Sequence, residues 1–193
     1  MPSIDTLVAD LRNGTVNAFG SKPAGETSKE GIIDQTHKVT YRFVYMNASL
    51  NGTRLNCNAA EKAKPSNGSF LYFADSWSTV ADMDINRSLV VSTNFSGCMW
   101  KIYRSRTPDL FKCVHIARSQ NEGDALVNLL AAYAQSQRWA EVQAIPTRGH
   151  IGNNGCNEVI VVSQLSNRTI DTAVLDIDNG GRIVGTTFDL INI

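Results

Sequence analysis

VVSTNFSGCMWKIYRSRTPDLFKCVHIA, residues 90–117, holds three apolar, strand-like runs and decides how the chain folds. The first run ends at Ser96-Gly97, and a second resumes at once at Cys98. Thr107-Pro108-Asp109 is turn chemistry, because proline fixes φ and aspartate bonds its own backbone. The runs Cys98–Tyr103 and Lys112–Ala117 on either side of it therefore predict an antiparallel hairpin. If the hairpin turns between Arg106 and Thr107, His115 lies opposite Cys98. Cross-strand neighbours have Cβ atoms about 4.5–5.5 Å apart, so a thiol and an imidazole could then meet. The inference depends on register, since a slip of one residue sends one side chain to the other face.

Working outward, strand signals crowd the middle of the chain at Ser69–Phe73, Ser78–Met83 and Ser88–Phe95. Upstream, Ser3 can cap a short helix over Ile4–Asn13, residues 15–36 read as a loop, and Lys38–Met46 reads as a strand. Residues 47–68 read as a hairpin connection or a long excursion. Downstream, Asp124–Trp139 has Leu126, Leu129, Leu130 and Tyr133 at helical spacing and predicts one long helix. Three strands follow, Glu158–Gln164, Thr169–Ile177 and Arg182–Phe188, with Asn179-Gly180-Gly181 as a hairpin signal between the last two. Strands, then a helix, then antiparallel strands predict an α+β fold over residues 1–193 as a single catalytic domain. The expected form is a β-sandwich or layered, mostly antiparallel sheets flanked by helices.

The totals narrow the function. The chain has 193 residues, 42% hydrophobic and 19% charged, with 18 Lys+Arg against 18 Asp+Glu. This neutral balance gives no argument for a nucleic-acid partner. No apolar run approaches the roughly 20 residues of a membrane span. The start, MPSIDTLVAD, lacks the basic-then-apolar order of a classical signal peptide. Cys57, Cys98, Cys113 and Cys156 form no CxxC pair, and His37, His115 and His150 make no zinc spacing with them. Reduced thiols, no metal and no cofactor are expected.

The chemistry-bearing candidates are Cys98 and His115. A thiol near its ordinary pKa of about 8.5 is mostly unreactive at neutral pH, whereas a neighbouring histidine can hold it as a thiolate–imidazolium pair. Gly97 permits an unusual backbone turn that aims amide N–H groups at a developing oxyanion. Ser92 and Thr93 on the preceding strand are the candidates to orient the imidazole. Against this, a cysteine in a strand is usually a small buried hydrophobe. Cys113 shares the face of His115 but lacks the preceding glycine. Asp82 and Asp84 read as a solvated strand edge, Gly152-Asn153-Asn154-Gly155 as a turn, and His37 and His150 as solvated, His150 with a possible place at a site edge. Lys101, Arg104, Arg106, Lys112 and Arg118 face only Asp109, so the hairpin is basic. That charge either solubilises an outer face or attracts an acidic target.

At Phe95-Ser96-Gly97-Cys98, followed by His115, the sequence resembles the toxin glutamine deamidases, which include the catalytic domain of cytotoxic necrotizing factors and the Burkholderia lethal factor. Their Leu-Ser-Gly-Cys motif is matched at Ser96, Gly97 and Cys98, with Phe95 in place of leucine. Ser78-Thr79-Val80 looks like the segment that precedes the motif. The resemblance covers about 78–117. It implies a Cys98 nucleophile, His115 as general base and then acid, and a third element that is a backbone carbonyl or a threonine, here Thr93 or Ser92. It implies a secreted or injected effector that converts a host-protein glutamine to glutamate, with a GTPase or a translation helicase as possible partner. Peptide hydrolysis, transglutamination, a chemoreceptor-type deamidase, and a binding module with Cys98 in its core remain the alternatives.

Overall fold

A computed structural model describes Ile4, Val8, Phe73 and residues 33–34, 46–51, 54–57, 68–71, 77–118 and 124–193. Two sheets form the body. The first has the order β1-β5-β8-β7-β9, with β1 Ile33–Asp34, β5 Trp77–Met83, β7 Met99–Arg104, β8 Phe111–Ile116 and β9 Ala140–Pro146. The second has the order β12-β11-β10-β6-β4-β2-β3. Its strands are β2 Met46–Asn51, β3 Arg54–Cys57, β4 Gly68–Leu71, β6 Leu89–Phe95, β10 Glu158–Ser166, β11 Thr169–Ile177 and β12 Ile183–Asn192. Among the described strands every pairing is antiparallel except β4 with β6. The fold is α+β with layered sheets, as the element order predicts.

Strand alternation builds the layers. From the first sheet, Trp100, Ile102, Phe111 and Cys113 enter the core between the sheets, where they meet Val90, Phe95, Val159, Val161 and Val174 of the second. On the other face of the first sheet, Val80, Tyr103, Val114 and Ile116 pack against Leu126, Leu130 and Ala134 of helix α1, Ala125–Ser136. That face is covered because α1 buries one apolar stripe and leaves its polar residues outside.

Three expectations change in detail. The strand β9 falls at residues 140–146, just past the expected helix, where the sequence marked no element. The region 47–68 contains a hairpin of its own, β2 with β3. The β7–β8 hairpin turns between Thr107 and Pro108, so Trp100, and not Cys98, lies opposite His115. The cause is local. Asp109 adopts a φ of 59°, the Ser105 amide bonds the Leu110 carbonyl at 2.9 Å, and the connection is six residues long. A slip of two residues, unlike a slip of one, preserves the face. Ile4 and Val8 are helical and buried. The rest of the Ile4–Asn13 helix, the loop 15–36 apart from β1, the strand Lys38–Met46 apart from Met46, and His37 lie outside the described residues.

Gln143 of β9 ties the two sheets. Its Nε2 donates to Asp189 of β12 at 2.8 Å, and its Oε1 accepts from Thr172 of β11 at 2.9 Å. Gln143 and Thr172 are both buried, so losing the amide removes two hydrogen bonds between the sheets and leaves the Thr172 hydroxyl with Ser163 Oγ, 2.8 Å away, as its remaining partner. Gln143→Leu should cost about 1–3 kcal/mol in urea unfolding. A loss under about 0.5 kcal/mol would show that the sheets are tied elsewhere.

Candidate active site at the sheet crossing

The chain passes from the second sheet to the first between β6 and β7, through Ser96, Gly97 and Cys98. A bulge prepares this crossing. Val161 of β10 lies opposite Ser92 and Val159 opposite Phe95, so β6 carries one residue more than its partner. Asn94 takes a φ of 63° there, and its amide donates to the Glu158 carboxylate at 2.8 Å. The extra residue puts Ser92 and Phe95 on one face, where regular alternation would separate them. Both meet His115.

His115 is 1% exposed. Its Nδ1 lies 2.9 Å from Ser92 Oγ, and Ser92 Oγ donates to the Leu71 carbonyl at 2.5 Å. A hydroxyl has one proton. Because Ser92 gives that proton to Leu71, it must accept from His115, so Nδ1 carries the imidazole proton. Nε2 then holds a lone pair, and it has no hydrogen-bond partner among the described residues. Phe95 stacks on the ring with centroids 3.8 Å apart and planes at 8°, and Phe73 lies tilted at 5.5 Å. Thr79 of β5 pairs with His115 across the ladder. Burial holds the His115 pKa down at about 3. The ring is therefore neutral at physiological pH, which corrects the expectation of a resting thiolate–imidazolium pair. A neutral base with a fixed lone pair is what remains.

Cys98 is 3% exposed and belongs to the core cluster that contains Trp100 and Phe95. Gly97 before it has a φ of 134°, which disfavours any side chain, although an added Cβ would meet nothing within 4 Å. The glycine is thus needed for its conformation and not for space. After it, the Cys98 carbonyl accepts from the Thr147 amide at 3.2 Å and from Thr147 Oγ1 at 2.8 Å. Ser96 is exposed and Gly97 half-buried.

Of the two candidates to orient the imidazole, the bond is made by Ser92. Thr93 is buried next to it on β6. The rival thiol, Cys113, is fully buried 4.0 Å from Met83 Sδ, and its pKa is raised by burial and then by Asp82. Cys113 and Cys156 are free thiols, while Cys57 lies in β3. Asp82 pairs with Lys112, and Asp84 caps its own turn by accepting from Asn86 and Arg87 at 2.8 Å. Gly152-Asn153-Asn154-Gly155 forms a tight turn. Among the described residues no group of three potential ligands could hold a metal, and no helix is long and apolar enough to cross a membrane.

The basic hairpin is mostly neutralised. Lys101 pairs with Glu141, Lys112 with Asp82 and Arg118 with Asp124. Arg104 lies over the Phe111 ring, and it and Arg106 are exposed at the hairpin tip. Six strand residues, about 20 Å, separate that tip from Cys98. The charge expected beside the site is therefore at the far end of the hairpin. Thr147 and the Leu71 carbonyl were missed, since each meets its partner through a contact distant in sequence that no local pattern marks.

The depressed His115 pKa has a testable sign. The unfolded chain takes up this proton near pH 6.5 and the folded protein only near pH 3. Between these values the unfolded state binds more protons, so stability falls as pH falls. Unfolding free energy measured between pH 6.5 and 5 should lose a slope of up to about one proton in His115→Phe. An unchanged slope would mean that His115 titrates normally in the folded protein. No family model matches this chain, and no curated protein sequence matches it. The functional reading therefore stands on the geometry around β6, β7 and β8.

Proposed function

We propose that this protein is a cysteine-dependent hydrolase of side-chain amides, converting a protein glutamine to glutamate. One observation carries the reading. The relay Leu71 carbonyl, Ser92 hydroxyl and His115 Nδ1–H leaves the Nε2 lone pair without a partner among the described residues, beside the inter-sheet core that also contains Cys98. A structural histidine at such depth would be expected to satisfy both nitrogens.

In the proposed reaction Nε2 takes the Cys98 proton as sulfur bonds to the glutamine carboxamide carbon. Amide N–H groups at the Gly97 turn would be the donors to the oxygen that becomes negative. The C–N bond breaks as His115 returns its proton to nitrogen, and ammonia leaves. Water, deprotonated by the same Nε2, attacks the thioester and releases glutamate and the thiol. The base starts neutral and so can accept a proton before it donates one, although the burial that keeps it neutral also makes it a weak base. The depth of the site favours a side-chain amide over a peptide bond. Cys98 and His115 are nearly sealed from solvent, and a glutamine arm is slender enough to enter where two flanking chain segments are not. A host protein as the substrate, in the manner of a bacterial effector, follows from the motif resemblance at residues 95–98 and from His115.

Burial also favours a second reading, in which Cys98 is a core residue of a non-enzymatic binding module. Incubating the pure protein with host lysate separates the two. Glutamine deamidation adds about one dalton to the target and releases ammonia. Cys98→Ser should abolish both without unfolding the protein, and His115→Phe should lower turnover about 10²–10⁴-fold. A primary-amine adduct on the target would instead assign transglutamination. Retained activity in Cys98→Ser would remove Cys98 from the mechanism, and slow, His115-independent alkylation of Cys98 by iodoacetamide would support the binding module.

A further inference from the structure

We infer that Thr147 is a positioning residue for Cys98, and that the His150–Asp176 pair holds Thr147 in place; the inference rests on the deamidase reading of Cys98. The ladder between β7 and β9 ends with Met99 opposite Pro146. Thr147 and Cys98 are the next residues on each strand. Thr147 is fully buried, and both its amide and its hydroxyl donate to the Cys98 carbonyl, at 3.2 Å and 2.8 Å. Two donors fill both lone pairs of that oxygen. They fix the plane of the peptide that follows Cys98, while the Gly97 conformation fixes the chain before it. The direction of the Cys98 Cα–Cβ bond is set between these two constraints.

Thr147 in turn is anchored from the second sheet. It opens the 3₁₀ turn Thr147–Gly149, and the His150 amide closes that turn on the Thr147 carbonyl at 3.0 Å. His150 Nδ1 lies 2.9 Å from Asp176 Oδ1 of β11. Asp176 pairs with Gly185 of β12, and a Cβ at 185 would fall 2.5 Å from Asp176 Oδ2. Gly185 is therefore the space into which the carboxylate fits. Gly185, Asp176, His150 and Thr147 form a continuous path from the edge of the second sheet to the nucleophile's own peptide. Misplacing a reacting atom by about 1 Å can cost on the order of a hundredfold in rate. Such a path thus bears on chemistry as well as on folding.

The test compares Thr147→Val, which keeps the shape and removes the hydroxyl, with Thr147→Ser, which keeps the hydroxyl. Turnover of the glutamine substrate and the rate of Cys98 alkylation by iodoacetamide are both measured. Thr147→Val should lower kcat about ten- to a hundredfold, with KM within about twofold of the parent, and it should slow alkylation in parallel. Thr147→Ser should restore both, and Gly185→Ala should lower both in the same direction as Thr147→Val. Parent-like kcat and alkylation in Thr147→Val would overturn the inference, as would a Thr147→Ser variant equally impaired. The alkylation measurement needs no substrate. If the parent protein releases no ammonia but Thr147→Val still changes Cys98 reactivity and serine restores it, the deamidase reading fails and the positioning role stands.

Discussion

The site depends on the hydrogen bond between Ser92 and His115. It joins a strand of each sheet in a buried interior, and its direction is forced because the Ser92 proton is already given to Leu71. From that direction follows the proton on Nδ1 of the ring. Burial supplies the rest by making a charged ring costly. The β6 bulge is what makes the bond possible. It brings Ser92 to the same face as Phe95, so one short segment both hydrogen-bonds the ring and stacks on it.

The crossing between the sheets has its own logic. A strand that leaves one sheet for another must turn sharply, and Gly97 supplies a φ that other residues resist. Cys98 is the first residue on the far side. Its carbonyl falls in line with the end of β9 and is captured by Thr147. The cysteine thus sits between a glycine in an unusual conformation and a carbonyl held by Thr147, in the core cluster that contains Phe95 of β6 and Trp100 of β7. A residue placed this way can be rigid without lying inside a regular ladder.

Much of the architecture follows from local pattern. Alternation along β7 and β8 assigns Trp100, Ile102 and Cys113 to one face and Tyr103 and Val114 to the other, and the Leu spacing of α1 identifies its buried stripe. The residue opposite His115 was less readable, and it is Trp100 where the turn chemistry suggested Cys98. The φ of Asp109 moves the turn by one position, and each such step shifts the register by two. The choice between Ser92 and Thr93 turned on parity along β6 and on a bulge that only the pairing with β10 reveals. The strand β9 escaped because AEVQAIP, residues 140–146, follows a helix without a glycine or proline to mark the break. Arg138, with a φ of 54°, turns the chain there. Phe95 departs from the leucine of the resembled motif, and its stacking on His115 gives that departure a physical role.

The most direct measurement is nitrogen NMR of the His115 ring, which reports which nitrogen carries the proton. The account predicts Nδ1 protonated and Nε2 bare at every pH from about 5 to 8, with no titration across that range, and the same tautomer lost when Ser92 is replaced by alanine. A ring protonated on Nε2, or one that titrates near the ordinary value of 6.5, would contradict it.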